Sequence, residues 1–155
     1  MAVERIHDVV ILGTGLAGLR CAFELSRGSK GEIDIAMISK VQIMRAHSGC
    51  AEGGTGAVLN EPDGDSLELH GFDTVKGSDY LADQDVIQRF VEKSPEEIYL
   101  LDHLGLPWSR REDGTIYQGP FGGHSNPRAT MAADKTGFME MQTLYDTLTK
   151  YNNWN

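Results

Sequence analysis

The chain has 155 residues and a mass of 17.0 kDa, the size of one ordinary domain, and its 40% apolar and 24% charged residues are typical of a globular protein. Its 23 acidic and 14 basic side chains give a formal net charge of −9, which excludes a nucleic-acid surface because a phosphate backbone repels such a chain. No apolar run approaches the roughly 20 residues that cross a bilayer. Two cysteines without an export signal indicate reduced thiols, so the composition predicts a soluble intracellular protein.

The first forty residues predict a strand, a helix and a second strand. Within residues 8–12, the four residues after Asp8 are apolar on both faces and mostly β-branched, which is typical of a buried parallel strand. Apolar side chains then recur at helical spacing from Leu16, the helix should end at Gly28, and residues 33–38 predict the second strand. On this helix Cys21 is expected to pack against a strand. The order predicts an α/β fold whose parallel sheet begins with a Rossmann-like βαβ unit over residues 6 to 39.

A helical insertion is predicted at about 65 to 105, after a stretch without a sustained period. Its first helix is marked by residues 67, 70, 71 and 74, which recur at helical spacing. A second helix, around residues 86–91, is expected to be capped near Asp83 or Asp85. A third helix is expected to begin at Ser94 and Pro95 and to end at Gly105.

Two further elements are predicted in the last third of the chain. Asp113 and Gly114 lie between two short β-type segments and predict a hairpin turn. Residues 136–150 predict an amphipathic helix. Its apolar face is expected to contain Phe138, Met141, Leu144, Tyr145 and Leu148.

The turn after the first strand has the spacing of a dinucleotide-binding glycine motif. Gly13 permits the tight turn into the helix, Gly15 lets a pyrophosphate approach bare backbone, and Gly18 lets the helix pack closely on the strand. The helix N-terminus offers free N–H groups and a partial positive charge to the phosphates. A tight βα turn without a ligand is the alternative. The predicted cofactor-binding residues of this turn are Gly13, Thr14, Gly15, Leu16, Ala17 and Gly18.

The second strand lacks the acidic residue that usually holds a ribose hydroxyl, roughly 20 residues past the glycines. Ser39 and Lys40 stand at that place instead. A serine can still hydrogen-bond a ribose, whereas a lysine suits a 2′-phosphate. The glycine motif alone therefore leaves both NADPH and FAD open.

A second glycine-rich stretch, residues 39–57, follows the carboxyl end of the second strand, where ligands of open α/β sheets bind. Gly53 and Gly54 allow backbone to approach a planar or charged ligand closely. A lone histidine is by default an ordinary loop residue, so the chemistry of His47 does not by itself indicate cofactor contact. Cys50 is expected to be packed. His47 and Cys50 have no second pair at metal-ligand spacing among the other histidines, so no metal site is predicted.

The same stretch resembles the flavoprotein subunits of succinate dehydrogenases and fumarate reductases. That family has a Ser-Lys pair, then Met-Arg-Ser-His-Thr, then Ala-(Glu or Gln)-Gly-Gly. This chain has closely matching residues at positions 39–40, 44–48 and 51–54. The resemblance spans the chain from near residue 7 to about residue 150. Its other motifs are the segments 83–85, 105–110, 121–124 and 134–137.

The resemblance implies FAD as the cofactor, because in that family the histidine is bonded covalently to the 8α carbon of the isoalloxazine. Here that histidine is His47, which argues against the related aspartate oxidases, since they lack it. Ala46 and Ser48 replace the family's usual serine and threonine and keep their small size. The resemblance places Ser39 and Lys40 at the ribose region. It places Ala46, His47, Ser48, Gly49, Glu52, Gly53 and Gly54 at the flavin, and Phe121 facing a dicarboxylate substrate.

The implied activity is the interconversion of succinate and fumarate by hydride transfer between the C4 dicarboxylate and flavin N5. Electrons would pass to an iron–sulfur subunit, and membrane anchor subunits would hold the otherwise cytoplasmic protein at the inner face of the cell membrane. Glu52, where many dehydrogenases have glutamine, favours fumarate reduction. Two alternatives stay open: a non-catalytic nucleotide-binding or assembly module, and an NAD(P)-binding domain in which His47 has no role.

No catalytic residue is assigned within this chain. The family's proton-delivering arginine and its substrate-binding histidines and arginines lie in a capping domain and beyond, and no arginine here falls in a matching motif. We therefore expect residues 1–155 to be a truncated N-terminal portion of an FAD-binding domain. The capping and C-terminal helical domains would be absent, and the fragment alone would be inactive.

Overall fold

The computed structural model describes residues 4–59, 64–151 and 153–154. These residues form two compact units: unit 1 contains those of the ranges 1–51 and 137–155, and unit 2 contains those of the range 52–136. The helices are α1 (Leu16–Gly28), α2 (Leu67–Gly77), α3 (Gln84–His103) and α4 (Thr136–Leu148), and the strands are β1 (Val9–Leu12), β2 (Ile35–Ile38), β3 (Thr55–Gly56), β4 (Gln118–Gly119) and β5 (Ala129–Thr130).

Unit 1 is built on the predicted βαβ unit. Strands β1 and β2 pair in parallel, with Val9 opposite Ile35, and the connecting helix α1 buries Leu19 and Phe23. On its other edge β2 is joined to the end of the chain, because the N–H of Ile35 donates to the Asn153 carbonyl at 2.7 Å. The predicted α/β fold with a parallel sheet is confirmed.

Three burial predictions in unit 1 are wrong. Strand β1 is apolar on both faces, but only alternate residues are covered, and Val10 and Leu12 are 52% and 80% exposed. Cys21 and Cys50 are both exposed. On α1 the buried stripe follows the 3.6-residue period through Leu19, Ala22, Phe23 and Ser26, which leaves Cys21 outside it.

Helix α4 buries Met141, Leu144 and Leu148, as predicted. The assignment of Phe138 to the same face is wrong, since this side chain is 40% exposed. The buried stripe is completed by the polar residues Glu140 and Thr147 instead. Helical spacing therefore predicted the buried side of α4, but apolar character alone did not identify every residue on it.

Helix α3 of unit 2 is one continuous helix where two were predicted. Asp83 is its N-cap, as expected, and accepts hydrogen bonds from the N–H groups of Asp85 and Val86. The helix continues through Ser94 because its buried stripe stays in phase past Pro95. Burial of that stripe offsets the free-energy cost of the hydrogen bond that proline, without an N–H, cannot make. The Ser94 hydroxyl donates to the Phe90 carbonyl at 2.6 Å and leaves the first-turn capping role unused. The stripe consists of Ile87, Val91, Ser94, Ile98 and Leu101.

The rest of unit 2 is a small antiparallel sheet and the predicted hairpin. Strand β5 lies between β3 and β4, so that Thr130 stands opposite both Thr55 and Gln118. In the hairpin the Asp113 carboxylate accepts the Thr115 N–H at 2.9 Å, which confirms the predicted turn. Helix α2 also occurs where a helix was predicted, with Ser66 as its N-cap.

Among the described residues, no helix has both the length and the apolar character needed to cross a membrane.

Candidate functional site

The glycine turn of unit 1 is shaped by close backbone contacts. A Cβ on Gly18 would lie 2.1 Å from the Gly13 carbonyl oxygen, so this position admits only glycine. Gly13 has φ of +106°, a conformation that side chains disfavour. A Cβ on Gly15 would lie 3.2 Å from the Ser48 hydroxyl oxygen. Gly13 and Gly18 therefore have the backbone roles that the motif predicts, whereas the role of Gly15 towards a pyrophosphate stays a prediction, and Leu16 begins α1 directly after Gly15.

The residues after β2 lie beside this turn. The Gly13 N–H donates to the Ile38 carbonyl at 2.8 Å, which holds the end of β2 against the start of the turn. Ser39 and Lys40 follow immediately and are exposed. Unit 1 therefore brings the predicted ribose-region residues next to the predicted phosphate turn.

The His47 turn, a 3₁₀ turn over His47–Cys50, is also held at the N-terminus of α1. The Ser48 hydroxyl accepts the Leu16 N–H at 3.1 Å, and the Gly49 N–H donates to the Ala46 carbonyl at 3.0 Å. The His47 side chain itself is exposed. Residues that are 32 positions apart in sequence thus form one surface, with the imidazole free to reach a ligand.

Gly137, to which the sequence assigned no role, supports the His47 turn from the other side. Its N–H donates to the Ala51 carbonyl at 2.9 Å, and a Cβ there would lie 2.0 Å from the Ser48 carbonyl oxygen. The first turn of α4 therefore packs directly on the backbone of the turn. The residue stands in the Asp-Lys-Thr-Gly motif, but only the fold shows what it contacts.

This part of unit 1 fits the pyrophosphate of the FAD that the resemblance implies. Gly15, the N-cap of α1, provides no side-chain hydrogen bond, and Ser48 engages only the Leu16 N–H, so the helical N–H groups that follow Leu16 and the helix dipole remain available to an anion. The Thr14 hydroxyl is buried and has no hydrogen-bond partner among the described residues. A phosphate oxygen would satisfy such a donor, and the bare backbone of Gly13 and Gly15 leaves room for it. Ala17, the remaining predicted residue of the turn, is exposed on the first turn of α1.

Unit 2 begins with the remaining predicted flavin residues, Glu52, Gly53 and Gly54. A Cβ on Gly53 would lie 2.7 Å from Cζ of Phe121, so the aromatic ring rests directly on the glycine backbone. Gly54 has φ of +89°, and a Cβ there would lie 2.6 Å from the Thr130 carbonyl oxygen of β5. The Phe121 ring remains 52% exposed. Unit 2 therefore brings the predicted substrate-facing phenylalanine onto the Gly-Gly segment, while Glu52 is exposed.

A buried ionic cluster in unit 2, formed by Asp65, Asp73 and Arg128, was not anticipated. Arg128 has no exposed surface and donates to both carboxylates, through Nε to Asp65 at 3.0 Å and through Nη1 to Asp73 at 2.5 Å. Nothing local marks these residues, because the partners are 63 and 55 positions apart. Burial favours the neutral form of Asp73, but hydrogen bonds from Ser125 and Arg128 outweigh it and lower its pKa to about 2. Asp73 and Arg128 are therefore both charged at neutral pH.

Two histidines lie beside the cluster. The rings of His70 and His124 are 5.9 Å apart, edge to face, and both Nδ1 atoms are buried without a partner among the described residues. Burial, and next the charge of Arg128, lower the pKa of His70 to about 4. The same two causes lower the pKa of His124. Both imidazoles are therefore neutral at pH 7.

We expect unit 2 to lose stability as the pH falls from about 6.5 towards 4. The pKa of His70 is lower in the folded protein than its ordinary value of 6.5, so the unfolded chain binds the extra proton in this window and acid favours unfolding. Between pH 7 and pH 5 the loss from this group is about 2 kcal/mol. Urea unfolding followed by tryptophan fluorescence, to which buried Trp108 contributes, measures it. His70→Gln should remove most of the difference, and an unchanged pH dependence in that variant would contradict the assignment.

The described residues contain no group of three or more His, Cys, Asp or Glu side chains arranged to hold a metal ion.

Comparison with known proteins also indicates an FAD-binding domain, over nearly the whole chain. The family model of the FAD binding domain matches residues 8–153. The chain is 45% identical over 146 residues to the fumarate reductase flavoprotein subunit of Mycobacterium tuberculosis, covering 94% of this chain and 24% of that protein. It is 44% identical to the succinate dehydrogenase flavoprotein subunit of Coxiella burnetii, covering 90% of this chain and 24% of that protein.

A solved structure agrees with these relatives. A chain of the Escherichia coli quinol fumarate reductase superposes with a TM-score of 0.91 at 44% identity, covering 96% of this chain and 25% of that one. The chain thus spans about a quarter of the length of the proteins it matches.

Proposed function

Since the chain belongs to the FAD-binding-domain family, we propose that it is the N-terminal part of the FAD-binding domain of a succinate dehydrogenase or fumarate reductase flavoprotein subunit. Its similarity to flavoprotein subunits of both kinds supports this assignment. The observation that carries it is the contact between the glycine turn and the His47 turn through Ser48. This contact puts an anion-binding helix end and an accessible imidazole on one surface.

In this proposal the residues of unit 1 bind different parts of the cofactor. The N–H groups that follow Leu16 in the first turn of α1 and the Thr14 hydroxyl hold the pyrophosphate, and Ser39 and Lys40 hold the ribose region. His47 forms the covalent link to the flavin, next to Ala46, Ser48 and Gly49. In unit 2 the segment Glu52–Gly54 lies along the flavin, and Phe121 faces the dicarboxylate. When bound, the flavin supplies the hydride acceptor and donor.

The activity that follows is the interconversion of succinate and fumarate. In this proposal electrons leave through an iron–sulfur subunit, and membrane anchor subunits hold the assembly at the inner face of the cell membrane. The flavoprotein subunit is then a peripheral, cytoplasmic part of the complex. The similarity to a chain of a quinol fumarate reductase supports this arrangement.

Acid precipitation of the full-length flavoprotein tests the proposal. We expect a yellow pellet, because a flavin bonded to His47 stays with the denatured chain. Yellow colour left in the supernatant would mean that FAD is bound without the link, and would contradict the role of His47. Absence of flavin absorbance from both fractions would contradict the FAD-binding function and favour a non-catalytic module or a nicotinamide cofactor.

A further inference from the structure

The segment that carries Phe121 is tied down at its far end. We call residues 121–126 the Phe121 loop. Its first residue rests on the Gly53 backbone, and its ring lies 6.0 Å from that of His124. Gly123 has φ of +84°, so the backbone turns sharply between the two rings. A loop with an exposed aromatic ring at one end keeps one position only if its other end is fixed.

Asp73 and Asp65 provide the fixed end. The Ser125 N–H donates to Oδ2 of Asp73 at 2.7 Å, and the Ser125 hydroxyl donates to Oδ1 at 2.6 Å. The Asn126 amide donates to Oδ1 of Asp65 at 3.2 Å. Both oxygens of one carboxylate thus bind a single loop residue. These are charge-assisted hydrogen bonds, which are stronger than bonds between neutral groups.

Arg128 keeps these two carboxylates in place. Its guanidinium lies between them without exposed surface, and Asp73 belongs to helix α2, which is capped at Ser66. The planar fork fixes the direction of each carboxylate as well as its charge. Helix α2 is therefore connected to the loop by the hydrogen bonds between Asp73 and Ser125, and Arg128 fixes the Asp73 carboxylate.

We propose that the Asp65–Arg128–Asp73 cluster is a positioning device that holds the Phe121 loop in the conformation that binds the dicarboxylate, with Ser125 as its contact to the loop. The inference rests on the proposed function, because Phe121 has a substrate to face only in a succinate or fumarate enzyme. The cluster touches neither substrate nor flavin in this assignment. It acts through the loop, whose ring contacts the substrate in the ground state and the transition state alike.

The test is Ser125→Ala in the full-length flavoprotein. Ser125 is exposed, so the change removes one hydrogen bond to Asp73 without disturbing a core. We expect KM for fumarate to rise roughly tenfold with kcat nearly unchanged, since uniform binding energy is lost. The dissociation constant of malonate, a dicarboxylate that does not react, should rise in parallel when followed by flavin absorbance. Covalent flavin content should stay at the wild-type level.

Two further variants and the wild type make the result decisive. Ser125→Thr restores the hydroxyl and should restore KM. Ser78→Ala removes a hydroxyl that donates to the Val75 carbonyl at the end of the same helix, and should change nothing. If Ser125→Ala keeps KM and malonate affinity within twofold of wild type, or loses flavin, the positioning role is wrong. Failure of the proposed function shows instead in the wild type, as absence of any succinate or fumarate turnover, and it overturns both.

Discussion

Replacing His47 with serine is expected to abolish acid-stable flavin and to suppress succinate oxidation far more than fumarate reduction. In the family that this chain resembles, the histidyl link raises the flavin potential, and oxidising succinate requires a comparatively strong oxidant. A fall of about 30 mV shifts a two-electron equilibrium tenfold, so even a modest loss of potential separates the two directions. The turn itself should survive, because its hydrogen bonds come from the Ser48 hydroxyl and from backbone groups.

The measurement is the ratio of succinate oxidation to fumarate reduction, together with the flavin in an acid-precipitated pellet. His103→Ser is the matched control. His103 is also exposed, but it lies at the end of α3, where its Nδ1 is 2.6 Å from the Tyr99 carbonyl oxygen. This control should keep both the pellet colour and the ratio. If His47→Ser retains covalent flavin, another side chain forms the link, and if both directions fall equally, the effect is on folding or binding and not on potential.

The βαβ unit, the start of α3 and the hairpin were predictable because their signals are local. The glycine spacing, the helix end at Gly28, the Asp83 cap and the hairpin at Asp113 each depend on residues within one turn of each other. Pro95 shows where local signals fail. A serine followed by a proline is a good helix start, but a buried stripe in phase on both sides of it makes the longer helix more stable.

The supports of the candidate site were not predictable for the opposite reason. Arg128 meets Asp73 across 55 positions, and a Cβ on Gly137 would meet the Ser48 carbonyl across an even longer separation. No periodicity links such residues, and a single sequence does not show which distant charges will be buried together. The residues expected to touch the cofactor could be named from motifs, whereas those that hold them in place became visible only with the fold.

Gly137→Ala is the substitution for which the fold predicts the largest effect away from the cofactor. The added Cβ would lie 2.0 Å from the Ser48 carbonyl oxygen and 2.8 Å from the Ala51 side chain. Neither contact can be relieved by rotating a side chain away, because one partner is backbone and the other is a single methyl group. The His47 turn or the start of α4 must therefore move. The hydrogen bond from the Gly137 N–H to the Ala51 carbonyl would be lost with that movement.

We expect this variant to lose about 1–3 kcal/mol of stability, the usual cost of overpacking, and to carry several-fold less covalent flavin. Gly28→Ala is its control in the same unit: Gly28 is the last residue of α1, and a Cβ there meets nothing within 4 Å. Alanine there should be neutral or slightly stabilising, because it restricts the unfolded chain. Wild-type flavin attachment in Gly137→Ala would mean that the His47 turn does not need α4 behind it. Reduced attachment at unchanged thermal stability would instead place the whole effect in the geometry of the turn, since the imidazole must approach the flavin along one direction to form the bond.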